Sequence, residues 1–438
     1  MGDLAGPRGH GLRVGVAAHP TGPGRGGVMS AVDPELLWNP FDPAFRADPY
    51  PFYDRLRTDA PAWPNAIGTV VLTRYDDVAR TLRSNDFSRD VDANATPRDD
   101  EISRRRRERR ANGAAKSILN LDPPDHTRLR RMVTTAFTPT AVQRLRGRME
   151  AMVDAVLDRA ADTGSLELIE DLAFPVPFQV ISEMLDMPTD RGDELRTWSQ
   201  ALTAALEPTA DMATLDAADE AIAQLAPYMW EVIEERRRAL GDDVLSRLIA
   251  VEEEGDRLSP EELITFVILL YVAGHETTVN LIGNGMLALL RNRDELTRWR
   301  DDPSLDDRAV DELLRFDGPV QHTIRVAMVP VTYAGAQGEP VVVEPGGTVL
   351  TVLGAANHDP AVFDDPHSLR LDRANSNRHL AFAAGIHYCL GASLAKMEAS
   401  VAIGRLIRRF PDIELTGEPH WRDRITIRGV DRLQLSVR

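Results

Sequence analysis

The only cysteine of the chain lies in the stretch Phe382-Ala383-Ala384-Gly385-Ile386-His387-Tyr388-Cys389-Leu390-Gly391. A single thiol cannot form an internal disulfide, so Cys389 has no crosslinking role. The residues after Gly391 have the periodicity of a helix, which places Cys389 just before a helix N-terminus. Free N–H groups and the helix dipole stabilise a thiolate at such a position. A thiolate held there is a natural axial ligand for haem iron.

The alternative is that Cys389 is a small buried apolar side chain, which is the usual role of a free cysteine. The spaced aromatic, glycine and histidine residues around it favour the ligand. The stretch resembles the haem-binding loop of the cytochrome P-450 family, F-G-x-G-x-H-x-C-x-G, with Ala383 where the family commonly has glycine. This resemblance implies haem b (iron protoporphyrin IX) as the cofactor, Cys389 as the iron ligand, and His387 and Gly391 as haem-binding residues.

The composition narrows the class of protein. A formal net charge of -17 in 438 residues argues against nucleic acid as the main partner. The longest apolar run, residues 264–274, is shorter than the roughly 20 residues that span a bilayer, so it predicts a buried helix and no membrane segment. The N-terminus lacks the apolar core of a signal peptide, and a chain with one cysteine is typical of the cytoplasm.

The chain is predicted to contain a Gly- and Pro-rich disordered tail, residues 1–38, and one domain, residues 39–438. Met29 is a second candidate start. Residues 125–291 have mainly helical periodicity, and another helix is predicted over 390–410. Strand-like segments are predicted at 69–72, 324–329, 341–343, 348–353 and near the C-terminus, whereas residues 86–120 are predicted to be mainly loop. The fold class is therefore mainly α with small sheets.

A long helix is predicted to begin with a capping box at Ser259-Pro260-Glu261-Glu262. Its middle contains Ala273-Gly274-His275-Glu276-Thr277-Thr278, a polar cluster in an otherwise apolar helix. The Thr277 hydroxyl can bond the Ala273 carbonyl, and small Ala273 and Gly274 leave space beside it. The cluster is equally compatible with a polar turn that faces solvent. It is not a zinc helix, because no histidine follows at position 279.

This cluster is similar to the oxygen-binding groove of the same family, A/G-G-x-D/E-T. The resemblance implies that Glu276 and Thr277 are catalytic and supply protons during the activation of dioxygen. The apolar residues Phe266, Leu269, Leu270 and Ala273 recur at helical spacing on the face that also carries Thr277, a pattern that is also typical of a core-facing stripe. By the resemblance, the end of this stripe nearest Thr277 lines the pocket, and the pocket residues on the helix are Leu269, Leu270 and Ala273. By the same resemblance Val320, Gln321 and Ile427 also line the pocket, with Gln321 and His322 as polar guides.

The resemblance also implies roles for three further groups of residues. Glu312 and Arg315 stand at i and i+3, a spacing that is common on solvated helices. In the family such a pair is a buried brace. Arg373 is the candidate third member of this brace. His126 and Arg130 share one helical face and can bind a carboxylate together, and the resemblance implies that they hold a haem propionate. Arg325 matches another propionate-binding residue.

The resemblance implies the family fold, a triangular prism of helices with a small β-rich region. It also implies a monooxygenase that inserts one atom of dioxygen into a small apolar organic substrate, by hydroxylation or epoxidation. Electrons are expected from a separate ferredoxin and ferredoxin reductase, which would dock near Arg128, Arg131 and Lys396. We expect a monomer. The alternatives are a haem-thiolate sensor or ligand-binding protein, which would not need Glu276 and Thr277, and a peroxygenase, which tends to replace them. The arginine-rich run 104–110 is most simply a solvated segment.

Overall fold

The computed structural model of the protein describes residues 38–39, 41–96, 101–105, 116–134, 137–253 and 258–438. The predicted tail therefore lies outside the described residues except for Trp38, and so do Met29 and most of the arginine-rich run.

The described part of the chain is mainly helical, as the sequence predicts. Helices alternate with short connections over most of its length. They are α1 Pro43–Ala47, α2 Tyr50–Asp59, α3 Tyr75–Arg83, α4 Val91–Asn94, α5 Asp125–Thr134, α6 Pro139–Gln143, α7 Arg146–Thr163, α8 Pro175–Leu185, α9 Gly192–Ala204, α10 Met212–Arg238, α11 Val244–Glu253, α12 Pro260–Arg291, α13 Arg293–Asp301, α14 Asp306–Asp317, α15 Leu353–Asn357 and α16 Ala392–Arg409.

The strands form small sheets, which come mainly from the two ends of the chain. They are β1 Ala62–Pro64, β2 Thr69–Leu72, β3 Phe87–Ser88, β4 Ser165–Glu167, β5 His322–Ala327, β6 Val331–Ala334, β7 Pro340–Val343, β8 Thr348–Val352, β9 Ile413–Leu415, β10 His420–Trp421, β11 Val430–Arg432 and β12 Gln434–Val437. The largest sheet has the order β1-β2-β8-β5-β3, in which only β2 and β8 are parallel.

Helix α12 begins where the sequence predicts. The Ser259 side chain accepts a bond from the Glu262 N–H, and the Glu262 side chain accepts one from the Ser259 N–H, which completes the capping box. The helix is 32 residues long and apolar enough to span a bilayer by length and composition. Its most apolar window is 72% buried inside the protein, as the central helix of a globular core would be.

The main hydrophobic core surrounds α12. Helices α7, α8, α10, α14 and α16 contribute to the same cluster of buried side chains. One close approach explains a glycine in the polar cluster of α12, because a Cβ at Gly274 would lie 2.8–3.3 Å from side-chain atoms of Ile181 on α8. The expectation that Gly274 leaves open space is therefore wrong. Its missing side chain instead lets two helices pack closely.

The predicted loop at residues 86–120 is also more ordered than the sequence suggests. It contains β3, α4, a helical segment at 101–105 and a single 3₁₀ turn at Ile118–Asn120. These elements are short, so they have little apolar periodicity of their own. Tertiary contacts stabilise them; β3, for example, pairs with β5.

Candidate active site

The cysteine-containing stretch forms a compact loop before α16. Residues Gly385–His387 make a single 3₁₀ turn, and the Cys389 N–H donates to the Phe382 carbonyl at 3.0 Å. Gly385 has φ +74, and a Cβ there would lie 2.4 Å from the Leu82 carbonyl oxygen, so only glycine fits. Protein atoms enclose the Cys389 thiol, yet part of the residue stays accessible. Both are true of a side chain that lines an internal cavity.

The predicted stabilisation of the Cys389 thiolate is only partly present. Burial raises the pKa of the thiol, while the Gly391 backbone N–H and the Arg130 guanidinium oppose the rise. Helix α16 begins three residues after the sulfur, with Gly391 at its N-cap, so the dipole alone does not offset desolvation. A bound metal cation would, because coordination deprotonates a thiol outright.

The departure from the family pattern at Ala383 has a structural counterpart. Ala383 has φ +57, in the left-handed region that glycine adopts without strain. A left-handed conformation costs a residue with a Cβ about 1–2 kcal/mol. The loop therefore holds an alanine in a glycine conformation.

Ala383→Gly is expected to raise the free energy of unfolding by about 0.5–1 kcal/mol, since relief of the strain exceeds the entropy that glycine gains in the unfolded chain. The matched control is the neighbouring Ala384→Gly. Ala384 has φ -155, so this variant relieves no strain and is expected to lose stability. Chemical denaturation of both variants measures the difference. Equal effects of the two glycines would contradict the strain at Ala383.

The predicted haem-carboxylate residues lie together near the cysteine loop. The rings of His126 and His387 are 4.2 Å apart, and Arg130 Nη2 donates to the Tyr388 carbonyl at 2.6 Å. Burial, together with charge repulsion from His126, Arg325, Arg89 and Arg130, lowers the pKa of His387 to about 3. The structure thus brings the four predicted residues, His126, Arg130, Arg325 and His387, to one place.

Arg89 is a member of this cluster that the sequence prediction missed. Its Nη1 donates to the Ile324 carbonyl at 3.1 Å, and Arg325 Nη1 donates to the same oxygen at 2.8 Å. Burial lowers the pKa of Arg89 to about 10 and that of Arg325 to about 9, with Arg89 adding to the effect on Arg325. No spacing motif indicates Arg89, because a short strand and a tertiary contact bring it here.

The cluster has an excess of positive charge, carried by the buried Arg325 and the half-buried Arg89 and Arg130. All three guanidinium groups act on His387, whereas among the described residues Asp122 is the carboxylate that counters Arg89 and Arg325. Both Asp122 oxygens already accept bonds, from the Arg89 N–H and the Ser88 hydroxyl. Unbalanced buried cations are costly. A ligand with two carboxylates balances them, as the two propionates of haem b do, and the residues present therefore fit that cofactor.

The polar cluster of α12 is accessible at only some of its positions. Thr277 Oγ1 donates to the Ala273 carbonyl at 3.2 Å, as predicted. Ala273 is exposed in the middle of a largely buried helix, and Leu269 and Thr277, one turn to either side, are half-buried. This face, Leu269–Ala273–Thr277, therefore lines an opening. Phe266 and Leu270 are packed in the main core, so the accessible part of the stripe is Leu269, Ala273 and Thr277.

Glu276 is not exposed in this opening. Its carboxylate is buried and accepts a bond from Arg422 Nη1 at 3.2 Å, and Arg422 Nε lies 2.9 Å from Asp431. The Arg422 partner was not predicted, because it comes from the loop after β10, far away in sequence. A proton donor held in an ion pair must move before it can act elsewhere.

The predicted pocket residues beyond α12 have different surroundings. Val320 is half-buried and forms an isolated β-bridge with the buried Ile427. Gln321 was predicted as a polar guide, but its Nε2 donates to the Gly318 carbonyl at 2.8 Å and its Oε1 accepts from Tyr53 at 3.3 Å. It is therefore part of the core. His322 is also buried, and burial lowers its pKa to about 4.

The predicted brace is fully buried. Glu312 accepts two bonds from Arg315, both at 2.8 Å, and two from Arg373 Nε, at 3.0 and 3.1 Å. The remaining donors of both arginines bind backbone carbonyls, among them those of Pro366 and Ser368. Glu312 and Arg315 do not form a surface pair, since neither side chain has accessible surface.

Glu398 on α16 is a further buried acid that the sequence does not single out. Burial raises its pKa to about 8, and the neighbouring Thr278 side chain limits the rise. The side chain is therefore mainly neutral at neutral pH. Glu398 lies on α16, the helix that follows Cys389, and is close to Thr278 on α12.

The cationic face expected near the cysteine is weaker than predicted. Arg128 forms ion pairs with Glu262 and Asp125, and Lys396 Nζ lies 2.8 Å from Asp311. Arg131 is exposed. Two of the three proposed cations are thus largely balanced by neighbouring carboxylates.

Comparisons with known proteins agree with this geometry. The Cytochrome P450 family model matches residues 62–302 and 303–420. Cytochrome P450 107B1 of Saccharopolyspora erythraea is 40% identical over 413 residues, 91% of this chain and 97% of that protein. Vitamin D(3) 25-hydroxylase of Pseudonocardia autotrophica is 38% identical over 405 residues, 91% and 96% of the two chains.

A solved structure also superposes on most of the chain. Mycobacterium smegmatis CYP164A2 with econazole bound has a TM-score of 0.81 and 38% sequence identity, and the match covers 92% of this chain and 100% of that one. The predicted fold class and cofactor are confirmed by these relationships. The chain belongs to the cytochrome P450 family and is a haem b-dependent, haem-thiolate monooxygenase.

Proposed function

We propose that this monooxygenase oxidises a medium-sized apolar molecule of the terpenoid, steroid or polyketide type. The observation that carries the proposal is the accessible face of the largely buried α12, on which Ala273 is exposed and Leu269 and Thr277 are half-buried. Two of its three side chains are apolar, and Val320 adds an aliphatic side chain. An apolar wall with one hydroxyl favours an apolar ligand with few polar groups. A relative that is 38% identical, named vitamin D(3) 25-hydroxylase, supports the same class.

When bound, the haem would activate dioxygen, a reaction that consumes two electrons and two protons. In this proposal Cys389 ligates the iron, Gly391 allows the backbone to approach, and His126, Arg130, Arg325 and His387 bind the haem carboxylates.

Thr277 and Glu276 hold and deliver the protons. The Thr277 hydroxyl already donates to the Ala273 carbonyl, so it has a lone pair free to accept a bond in the cavity. Glu276 would reach it only after leaving Arg422.

Thr277→Ala is expected to leave haem content and ligand binding unchanged while it diverts electrons from product to peroxide. Loss of a proton-transfer group lowers the rate of its step, and we expect at least about a tenfold fall in the ratio of product to peroxide. The control is Thr197→Ala on α9, which removes the same kind of bond to the carbonyl four residues earlier. An unchanged ratio in Thr277→Ala would remove Thr277 from the proton path.

Electrons are proposed to come from a ferredoxin and its reductase, in the cytoplasm, with the enzyme acting as a monomer. Arg128, Arg131 and Lys396 are the candidate docking residues on the cysteine side, although Arg128 and Lys396 also form ion pairs with Glu262 and Asp311. Turnover with a separate ferredoxin and reductase, and its loss when either is omitted, tests this part.

The experiment for the substrate class is a spectral titration of the haem-loaded protein with steroids, terpenoids, macrolides and small polar controls. Ala273→Phe is expected to weaken binding of the best apolar ligand about tenfold, because a phenyl ring fills the space beside Thr277. Ala161→Phe, an exposed substitution on α7, is the control and should bind as the unsubstituted protein does. Equal binding by Ala273→Phe would contradict the proposed orientation of α12.

A further inference from the structure

Glu207 is an acidic residue that is buried in the connection between α9 and α10. Its carboxylate accepts bonds from three consecutive backbone N–H groups, those of Ile425 at 3.0 Å, Thr426 at 3.0 Å and Ile427 at 3.4 Å. The Thr426 hydroxyl adds a fourth bond at 3.1 Å. A cluster of adjacent N–H groups binds an anion well, which compensates the burial of this carboxylate.

Arg424 makes a second connection between these two parts of the chain, and here the side chain of residue 424 is the donor. Its Nη1 donates to Thr203 Oγ1 at 2.8 Å, and its Nη2 donates to the Gln200 carbonyl at 2.9 Å. Both acceptors lie in the last turn of α9, where a cation is favourable. Glu207, in the α9–α10 connection, therefore binds residues 425–427, and Arg424, next to them, binds α9.

On its other side the 425–428 segment contacts the chain between α14 and β5. The Gln321 N–H donates to the Thr426 carbonyl at 3.0 Å, the Arg428 N–H donates to the Pro319 carbonyl at 2.8 Å, and Ile427 pairs with Val320. Val320 and Ile427 are two of the residues outside α12 that the sequence predicts to line the pocket. Their backbone thus lies between the α9–α10 connection and the core.

We infer that Glu207 is a positioning residue that sets the position of this pocket wall, and so selects among apolar substrates by size. The inference rests on the proposed function of the pocket. Without the Glu207 carboxylate, three N–H groups and a hydroxyl lose their acceptor, and the 425–427 segment relaxes together with Ile427. Ligands that reach Ile427 and Val320 are affected, whereas ligands small enough to contact only the iron are not.

The experiment compares two probes that bind haem iron through an imidazole nitrogen. Imidazole requires only the iron, whereas econazole, which binds the relative CYP164A2, also fills the pocket. Haem-loaded full-length Glu207→Gln and Glu207→Asp are titrated with both. Glu220→Gln on α10 is the control, because Glu220 is exposed and accepts a bond from Gln224, a side chain of the same helix.

Glutamine keeps the shape of the side chain but turns one acceptor into a donor that faces other donors. We expect Glu207→Gln to weaken econazole about tenfold and imidazole less than twofold. Glu207→Asp, which keeps the carboxylate, should recover part of the econazole affinity, and Glu220→Gln should match the unsubstituted protein.

Unchanged econazole affinity in Glu207→Gln, or equal losses for both probes, would overturn the inference. If Glu207→Gln yields no haem-loaded protein, Thr426→Val, which removes one bond to the carboxylate, is tested by the same ratio of affinities. Failure of the proposed monooxygenase function would instead appear in the unsubstituted protein, as an absent thiolate band in the reduced carbon monoxide complex.

Discussion

Replacing Glu312 by glutamine is expected to leave little or no haem-loaded protein. Glu312 is the carboxylate that both Arg315 and Arg373 contact, and all three side chains are almost fully buried. Glutamine preserves the volume but removes the negative charge, so two buried guanidinium groups lose their counter-charge. Breaking a buried pair in this way costs about 3–5 kcal/mol, a large fraction of the stability of a typical protein.

The measurement is the ratio of haem absorbance to protein in the soluble fraction, together with chemical denaturation of whatever folds. Asp307→Asn is the control, because Asp307 is an exposed acid on the same helix, α14, and its loss is expected to cost less than about 1 kcal/mol. A Glu312→Gln protein with full haem content and unchanged stability would mean that the brace contributes nothing to folding.

The prediction from sequence was most accurate where local rules apply. The capping box at Ser259 marks the start of α12, and β2 spans the residues 69–72 that the strand-like pattern predicts. The family resemblance supplied Arg373, which no spacing rule connects with Glu312 across about 60 residues, although the two side chains meet in the structure.

The prediction was least accurate where two distant segments meet. The β3–β5 pairing brings Arg89 to the Ile324 carbonyl beside Arg325, and Arg422 donates to Glu276 from the loop after β10. Helical spacing also placed Leu270 on the same face as Ala273, whereas in the structure it is buried in the main core. An amphipathic pattern cannot separate a cavity from a core, because both are lined by apolar side chains.

Gln321 illustrates the same limit for a polar residue. Its position after Pro319 and Val320 suggests a polar group in an apolar pocket, but the amide is used by Gly318 and Tyr53. Tyr53 comes from α2, near the other end of the chain. Whether a buried amide faces a ligand or a neighbouring side chain depends on partners that the local sequence does not contain.

Cys389→Ser is expected to remove the thiolate from the chain entirely, because Cys389 is its only cysteine. A serine hydroxyl at this position does not give the electron donation of a thiolate to haem iron. The loop itself should persist, since the bond from the residue 389 N–H to the Phe382 carbonyl is made by the backbone. Tyr388→Phe is the control, because it changes the adjacent side chain and keeps the sulfur.

The most direct measurement of the central claim is the difference spectrum of the reduced protein with carbon monoxide. The unsubstituted protein and Tyr388→Phe are predicted to show the thiolate-type Soret band from which the family takes its name. Cys389→Ser is predicted to lack that band while any bound haem absorbs at shorter wavelength. A Cys389→Ser protein that retains the thiolate band, or an unsubstituted haem-loaded protein without it, would contradict the assignment of Cys389 as the iron ligand.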